Sequence, residues 1–330
     1  MHYPKISIVT PSYNQGEFIE QTILSVINQN YPNLEYIIID GGSTDQTVDI
    51  IKKYEKYITY WESVPDNGQT DAINKGFAKC TGDIFNWINS DDYYEPNVFF
   101  AIAECFDSHP EIHILCGKEW GFNNDNPLDR KLHDGSIINE SIYETLYTGI
   151  IDQPCTFFKK NSIENYFPLE ISLRYVMDKK IWWSYLIENG KNKILSIDKV
   201  FTNFRLHPSS KTVSMSNDFI KETDGLKYSL LRNLNAPISL LNQFNSFNNN
   251  IYTWPKENIN RKLVIANFAS HCAVSKYVNQ EYKLCAKLMF LVIRNKWFKL
   301  NITEVKLFLL TCILPHWFLF KLKKTKEKIF

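Results

Sequence analysis

Short apolar runs that end in polar, glycine-containing turns recur along the first third of the chain, with helical periodicity between them. KISIVT (5–10) is the first such run, and after it Phe18, Ile19, Ile23 and Val26 recur on one face of a helix over 17–29. LEYIIID (34–40) reads as a second strand, and 45–57 as a second helix with Ser43, Thr44 and Asp45 as capping residues. ITYWES (58–63) is a third strand. A helix over 69–79, which Gly82 helps to stop, leads to a fourth, IFNWIN (84–89). Pro96 opens another helix, followed by HILCG (113–117).

Strand and helix alternating in this way predict an α/β fold, a mostly parallel sheet with helices on both faces. Ligands of such sheets bind outside the carboxyl ends of the strands. Four polar clusters fall at that edge: Pro11-Ser12-Tyr13-Asn14, Asp40-Gly41-Gly42-Ser43, Asp66-Asn67-Gly68 and Ser90-Asp91-Asp92. Any one of them is explained as an ordinary turn. Four at one edge, two of them acidic where a strand ends, point to a binding site.

From 118 to 170 the pattern weakens, and GFNNDNPLDRKLHDGS reads as loop. SLRYVMDKKIWWSYL (172–186) is a helix, and KVFTNFRLHPSSKT (199–212) a strand running into a polar loop. Beyond Asn217 the pattern is helical, interrupted by NQFNSFNNN (242–250), a linker or long loop.

The 330 residues suffice for one large domain with a helical appendage, or for two domains. Lys and Arg (37) balance Asp and Glu (36), so no global charge favours nucleic acid. The balance is local: the final KLKKTKEKIF holds Lys321, Lys323, Lys324, Lys326 and Lys328 against Glu327. Seven scattered cysteines without a CxxC argue against a disulfide framework or thiolate zinc and fit a reducing cytosol. The amino terminus runs straight into a strand, leaving no room for a signal peptide.

Asp91 and Asp92 raise a charge problem. At ~4 Å and an effective dielectric of ~20, two carboxylates repel by about 4 kcal/mol. They are either capping residues of the helix at Pro96 or the ligands of a cation. Oxygen ligands without nearby soft ones favour Mg²⁺ or Mn²⁺, ions that keep positions open for phosphates.

ISIVTPSYNQGEFIEQTILSVINQNYPNLEYIIIDGGSTDQT, then DNGQTDAINKG, then GDIFNWINSDD, resembles the family 2 glycosyltransferases of GT-A fold, of the bacterial cell-surface polysaccharide type, in order and spacing. The resemblance is close over residues 5–120 and continues weakly to 210. It implies a GT-A catalytic domain over 1–215, with nucleotide-sugar binding in 1–120 and the acceptor side in 121–215, and a helical extension over 216–330. It also implies metal-dependent, inverting transfer of a hexosyl or N-acetylhexosaminyl group from a nucleoside diphosphate donor, UDP favoured, to a glycan or lipid-linked acceptor. By position, Thr10, Pro11 and Tyr13 would lie against the base and Asp40 would hydrogen-bond it, with Gly42 in the same loop. Asp71 would help hold the base or ribose, with Lys75 nearby. Asp91 would face the ribose and Asp92 would ligate Mn²⁺ or Mg²⁺, with His207 reaching the metal or diphosphate. Arg205 would neutralise the diphosphate or be a strand-edge residue. Asp178, followed by Trp182 and Trp183, would be the general base, the alternative being a surface ion pair with a neighbouring basic residue. Gln153 falls where relatives line the acceptor pocket.

VKLFLLTCILPHWFLF (305–320) is apolar, short of a ~20-residue span and broken by Pro315. With the lysines after it, it reads as an interfacial helix at the cytoplasmic face of a membrane, or as a packing or homodimer contact. Two other functions compete. A sugar nucleotidyltransferase would show an arginine and a following lysine in its first loop, and PSYNQGEF has neither. A non-catalytic nucleotide-sugar or carbohydrate-binding protein would have no need of metal ligands and a base together.

Overall fold

The computed structural model describes residues 3–124, 126–244, 250–255 and 258–313. In chain order the elements up to Ser214 begin with β1 (Ile6–Ser12), α1 (Ile19–Ile27), β2 (Leu34–Asp40), α2 (Thr47–Lys53), β3 (Tyr60–Ser63), α3 (Gln69–Lys79) and β4 (Ile84–Trp87). There follow β5 (Tyr93–Tyr94), α4 (Val98–Ser108), β6 (Ile114–Asn123), β7 (Asn126–His133), α5 (Ile142–Thr148), β8 (Thr156–Lys159), α6 (Met177–Asn189), β9 (Ile194–Leu206) and α7 (Lys211–Ser214). The chain divides into two compact units, Met1–Ile142 with Gly149–Ile220, and Tyr143–Thr148 with Lys221–Phe330.

In the first unit one sheet runs β3-β2-β1-β4-β8-β6-β9-β5, with β7 paired to β6. The ladders from β3 to β4 are parallel, as is β6 with β9, while β8 enters antiparallel between β4 and β6. Alternation along β1 shows why helices cover both faces. Ile6 and Ile8 pack with Ile19, Ile23 and Val26 of α1 in the main core, with Phe99, Ile102 and Phe106 of α4 in the same cluster. Val9 points the other way, against Gly76 of α3, where a Cβ would come within 2.4 Å of Val9 Cγ1. Only glycine lets that helix lie so close.

The stretch read as loop is a hairpin. β6 continues to Asn123, and β7 pairs with it from Asn126 to His133. β7 is polar and largely exposed, so its sequence lacks the one-sided alternation that marks a half-buried strand. The helix expected over 172–186 begins at Met177, because residues before it serve another purpose. Leu173 O accepts from Thr70 Oγ1, and Leu169 exchanges bonds with the Asn74 side chain at 2.7 and 2.9 Å.

The second unit takes in most of α8 (Ser216–Asn233), then α9 (Ile238–Leu241), α10 (Arg261–Val278), α11 (Tyr282–Lys296) and α12 (Ile302–Phe308). Tyr143–Thr148 belongs with it: Glu144 bonds Asn267 at 2.8 Å and His271 at 2.9 Å, and the Tyr147 ring stacks on His271. A capping box between Asn301 and Glu304 starts α12. No described helix is long and apolar enough to cross a membrane. Residues 245–249 of the Asn-rich stretch, and everything from Pro315 through the lysine cluster, lie outside the described residues.

Candidate active site

Parallel register brings the strand ends together. Ser12 lies beside Asp40, and Asp40 beside Ser63. The loops cross-link: Asn14 N–H donates to Ser43 Oγ at 2.7 Å, and Thr44 N–H to Asn14 Oδ1 at 2.9 Å. Gly41 sits against the Asp66 carboxylate, and Gln69 Nε2 donates to Asn89 Oδ1 at 2.6 Å. All four polar clusters therefore meet at one edge. Among the described residues, Ser12 Oγ and Gln15 Oε1 are buried there without a hydrogen-bond partner. Orphaned buried polar atoms are few in folded proteins.

Thr10 is fully buried, its hydroxyl 3.1 Å from Tyr36 Oη, and Pro11 is buried beside it, whereas Tyr13 is 60% exposed. Asp40 is buried and committed: it accepts from Ser43 Oγ (2.5 Å), Ser43 N–H (2.8 Å), Gly42 N–H (3.1 Å) and Ser63 Oγ (2.6 Å). Gly42 has φ +83, a conformation that favours glycine, and this bends the loop back onto Asp40. Asp71 opens α3. Burial would raise its pKa, but bonds from Asn67 N–H and Nδ2 and the Lys75 ammonium 3.5 Å away lower it overall.

The adjacent carboxylates face different surroundings. Asp92 turns inward, 1% exposed, and accepts from Arg205 N–H at 2.9 Å and Asn89 Nδ2 at 3.3 Å. Burial first, then Asp91 and Glu119, push its pKa well above the usual range. Asp91 is partly exposed, with Oδ2 3.0 Å from His207 Nε2. His207 is buried, its Nδ1 2.8 Å from Ser209 Oγ and its ring 4.6 Å from Phe18. His207 thus reaches Asp91 and not Asp92.

Arg205 has structural partners on every side. Its Nε donates to Asp91 O at 2.9 Å, and its terminal nitrogens to Asn124 and Gln21, each at 2.5 Å. The guanidinium lies 4.9 Å from both the Phe18 and Phe122 rings. These bonds hold the acidic turn against β9.

Asp178 stands in the first turn of α6, partly buried, its Oδ1 accepting from Lys179 N–H at 2.7 Å. Burial pushes its pKa up to about 6 against the pull of Lys179, with Asp152 adding to the rise. Trp182 and Trp183 are buried behind it. Gln153 Nε2 donates to Trp87 O at 2.7 Å and Asn86 Oδ1 at 2.6 Å, fixing the segment before β8 to β4.

Sequence reasoning missed a second acidic group. Glu119, His133 and Asp152 each offer a ligand atom within 4.8 Å of the others. One signal was there: an acid in the strand ILCGKEW, at a position that is buried.

Residues 7–167 match the family model described as glycosyl transferase family 2. An uncharacterised glycosyltransferase of Mycobacterium tuberculosis is 35% identical over 131 residues, 38% of this chain and 48% of the relative. The putative teichuronic acid biosynthesis glycosyltransferase TuaG of Bacillus subtilis is 32% identical over 135 residues, 39% of this chain and 53% of TuaG. The chain spans about half the length of the curated relatives it matches. Among solved structures, Staphylococcus aureus TarS in complex with UDP superposes with a TM-score of 0.55 at 17% identity, covering 93% of this chain and 78% of that one. That likeness is one of fold. With the sheet order and the strand-end site, these matches show that residues 7–167 correspond to glycosyl transferase family 2 and that the fold is of the GT-A type.

Proposed function

We propose that this chain transfers a sugar, with inversion, from a nucleoside diphosphate donor to a hydroxyl of a glycan or lipid-linked saccharide. The observation that carries the reading is the meeting of Asp91 Oδ2 and His207 Nε2 at 3.0 Å where the strand-end loops converge. A carboxylate oxygen and an imidazole nitrogen from distant segments, beside a second acid and an oxygen-rich diphosphate, suit a divalent cation such as Mn²⁺. This assigns the ion to Asp91 and His207, and gives Asp92 the task of holding the turn with Arg205. When bound, the cation would offset the charge of the departing diphosphate.

The chain's own groups do the rest. Asp40, its oxygens already occupied, holds the loop of Gly42 and Ser43 against the nucleotide, while Thr10, Pro11 and Tyr13 border the base. Asp71 and Lys75 stand on the ribose side. Asp178 takes the proton of the acceptor hydroxyl as that oxygen bonds to the anomeric carbon; the bond to the diphosphate breaks, and its electrons leave with the nucleotide. A pKa of about 6 leaves Asp178 ionised at neutral pH and more basic than an ordinary aspartate. UDP is the favoured nucleotide, in keeping with TarS, whose structures include complexes with UDP and UDP-GlcNAc.

The helical unit suggests a membrane. Phe298 is 86% exposed, and Ile302, Val305, Leu309 and Ile313 are exposed at helical spacing. The five lysines that follow in sequence complement an anionic lipid surface, so the enzyme would work at the cytoplasmic face on a lipid-linked acceptor.

A panel of UDP-, GDP- and dTDP-sugars with Mn²⁺ tests the core of this reading. Release of UDP from a UDP-sugar, lost in chelator and lowered at least ~100-fold in Asp91→Ala, is expected. Donor binding without turnover would identify a binding protein. Pyrophosphate release from a nucleoside triphosphate and a sugar phosphate would identify a nucleotidyltransferase.

A further inference from the structure

We propose that Glu119, His133 and Asp152 form a second divalent-cation site, suited to a first-row transition ion such as Zn²⁺, and filled without nucleotide. Backbone register builds it. Glu119 on β6 lies directly opposite His133 on β7, with His133 Nδ1 3.7 Å from Glu119 Oε1. Gly121 makes room for the imidazole, since a Cβ there would come within 3.1 Å of ring atoms Cε1 and Nε2. Asp152 arrives from the segment before β8. Its N–H donates to Ser136 Oγ at 3.0 Å and its carbonyl accepts from Thr156 Oγ1 at 2.8 Å, so its backbone is fixed.

A separate observation points to a missing ligand. Glu119 is 3% exposed, and among the described residues its Oε2 has no hydrogen-bond partner. The lysine beside it on β6, Lys118, is engaged elsewhere, with Asp134 at 3.2 Å and Asp198 at 2.8 Å. Burial pushes the Glu119 pKa up to about 8 and raises that of Asp152 as well. A buried acid beside a half-buried one, with only an exposed imidazole near them, is stabilised by a positive charge.

The donor set narrows the ion. Two carboxylates and one imidazole are softer than the all-oxygen cages of Mg²⁺ and Ca²⁺. Three protein ligands with a fourth position open are usual for zinc. Tetrahedral bonds of about 2.1 Å need donor atoms roughly 3.4 Å apart. From a cluster within 4.8 Å, small side-chain rotations reach that spacing. An ion here would tie the β6–β7 hairpin to the segment whose next residue, Gln153, bonds the strand leading to Asp91.

Titration of the full chain with Zn²⁺, and with Co²⁺ read by its visible absorption, in nucleotide-free buffer tests the site. One ion per chain is expected, retained in Asp91→Ala and weakened at least 10-fold in both His133→Ala and Glu119→Gln. His133 is 44% exposed, so its loss should leave the metal-free melting temperature unchanged. Zn²⁺ should raise the melting temperature of the natural chain and not of His133→Ala. No stoichiometric ion in the natural chain, or undiminished affinity in His133→Ala, overturns the proposal. So would metal-free stabilisation by Glu119→Gln in a chain that binds no ion, because the acids would then share a proton. Donor hydrolysis is measured separately, and its failure would leave this result standing.

Discussion

At Asp178 two opposed effects meet on one carboxyl group. The first turn of a helix and the Lys179 N–H favour its charge, while burial disfavours it and wins, bringing the pKa up to about 6. If it is the base, turnover should fall as pH drops below about 6 and level off above. Asp178→Asn should lose roughly 10²- to 10⁴-fold in kcat and lose that acid limb. The sign for stability is opposite. A folded pKa above the unfolded 3.8 means that folding binds protons between these values, so stability falls as pH rises through that window. At pH 7 Asp178→Asn should therefore melt higher than the natural chain. An unchanged acid limb would send the search for the base elsewhere. Asp91 and Asp92 show what residue identity leaves open. Their sequence gives a charge problem, but which acid turns inward depends on Arg205, a partner that the linear pattern does not join to them.

Among the elements, β2 shows a polar group stabilising a strand start. Glu35 pairs across the parallel ladder with Ser7 and accepts from Ser7 Oγ (2.5 Å), Thr81 N–H (2.7 Å), Thr81 Oγ1 (2.6 Å) and Lys5 Nζ (2.9 Å). Burial alone would raise its pKa, yet these bonds bring it down to about 2. A depressed acid stabilises above its unfolded value of 4.5 and loses that contribution as pH falls towards 2. The difference corresponds to about 3 kcal/mol. Urea unfolding of Glu35→Gln should show a loss of that order at pH 7 and a much smaller one at pH 2.5. Equal losses would assign the effect to packing. The first strands and helices were legible because each buries one face and ends in turn residues. The β6–β7 hairpin was not, since an edge strand exposed on both sides carries no alternation. Glu119 and His133 were hidden for a related reason: their proximity comes from that hairpin's register.

On the scale of the whole molecule, the helical unit raises the question of what its exposed residues meet. If Phe298, Ile302, Val305, Leu309 and Ile313 face lipid, full-length protein should float with anionic liposomes and less with neutral ones. A chain ending at Asn301 should stay at the bottom of the gradient. Equal sedimentation of both would refute attachment, and a concentration-dependent dimer of the full chain alone would assign the surface to self-association.

The bond from Arg205 N–H to Asp92 also has a consequence for how the protein is made. A ribosome releases every strand end of the nucleotide edge long before it releases β9. Until β9 docks, Asp91 lacks His207 and Asp92 lacks the backbone donor that offsets its burial. If Asp91 and His207 hold the ion as proposed, the nascent chain completes the strand-end loops before it can bind that ion, and activity would arrive only with the last strand.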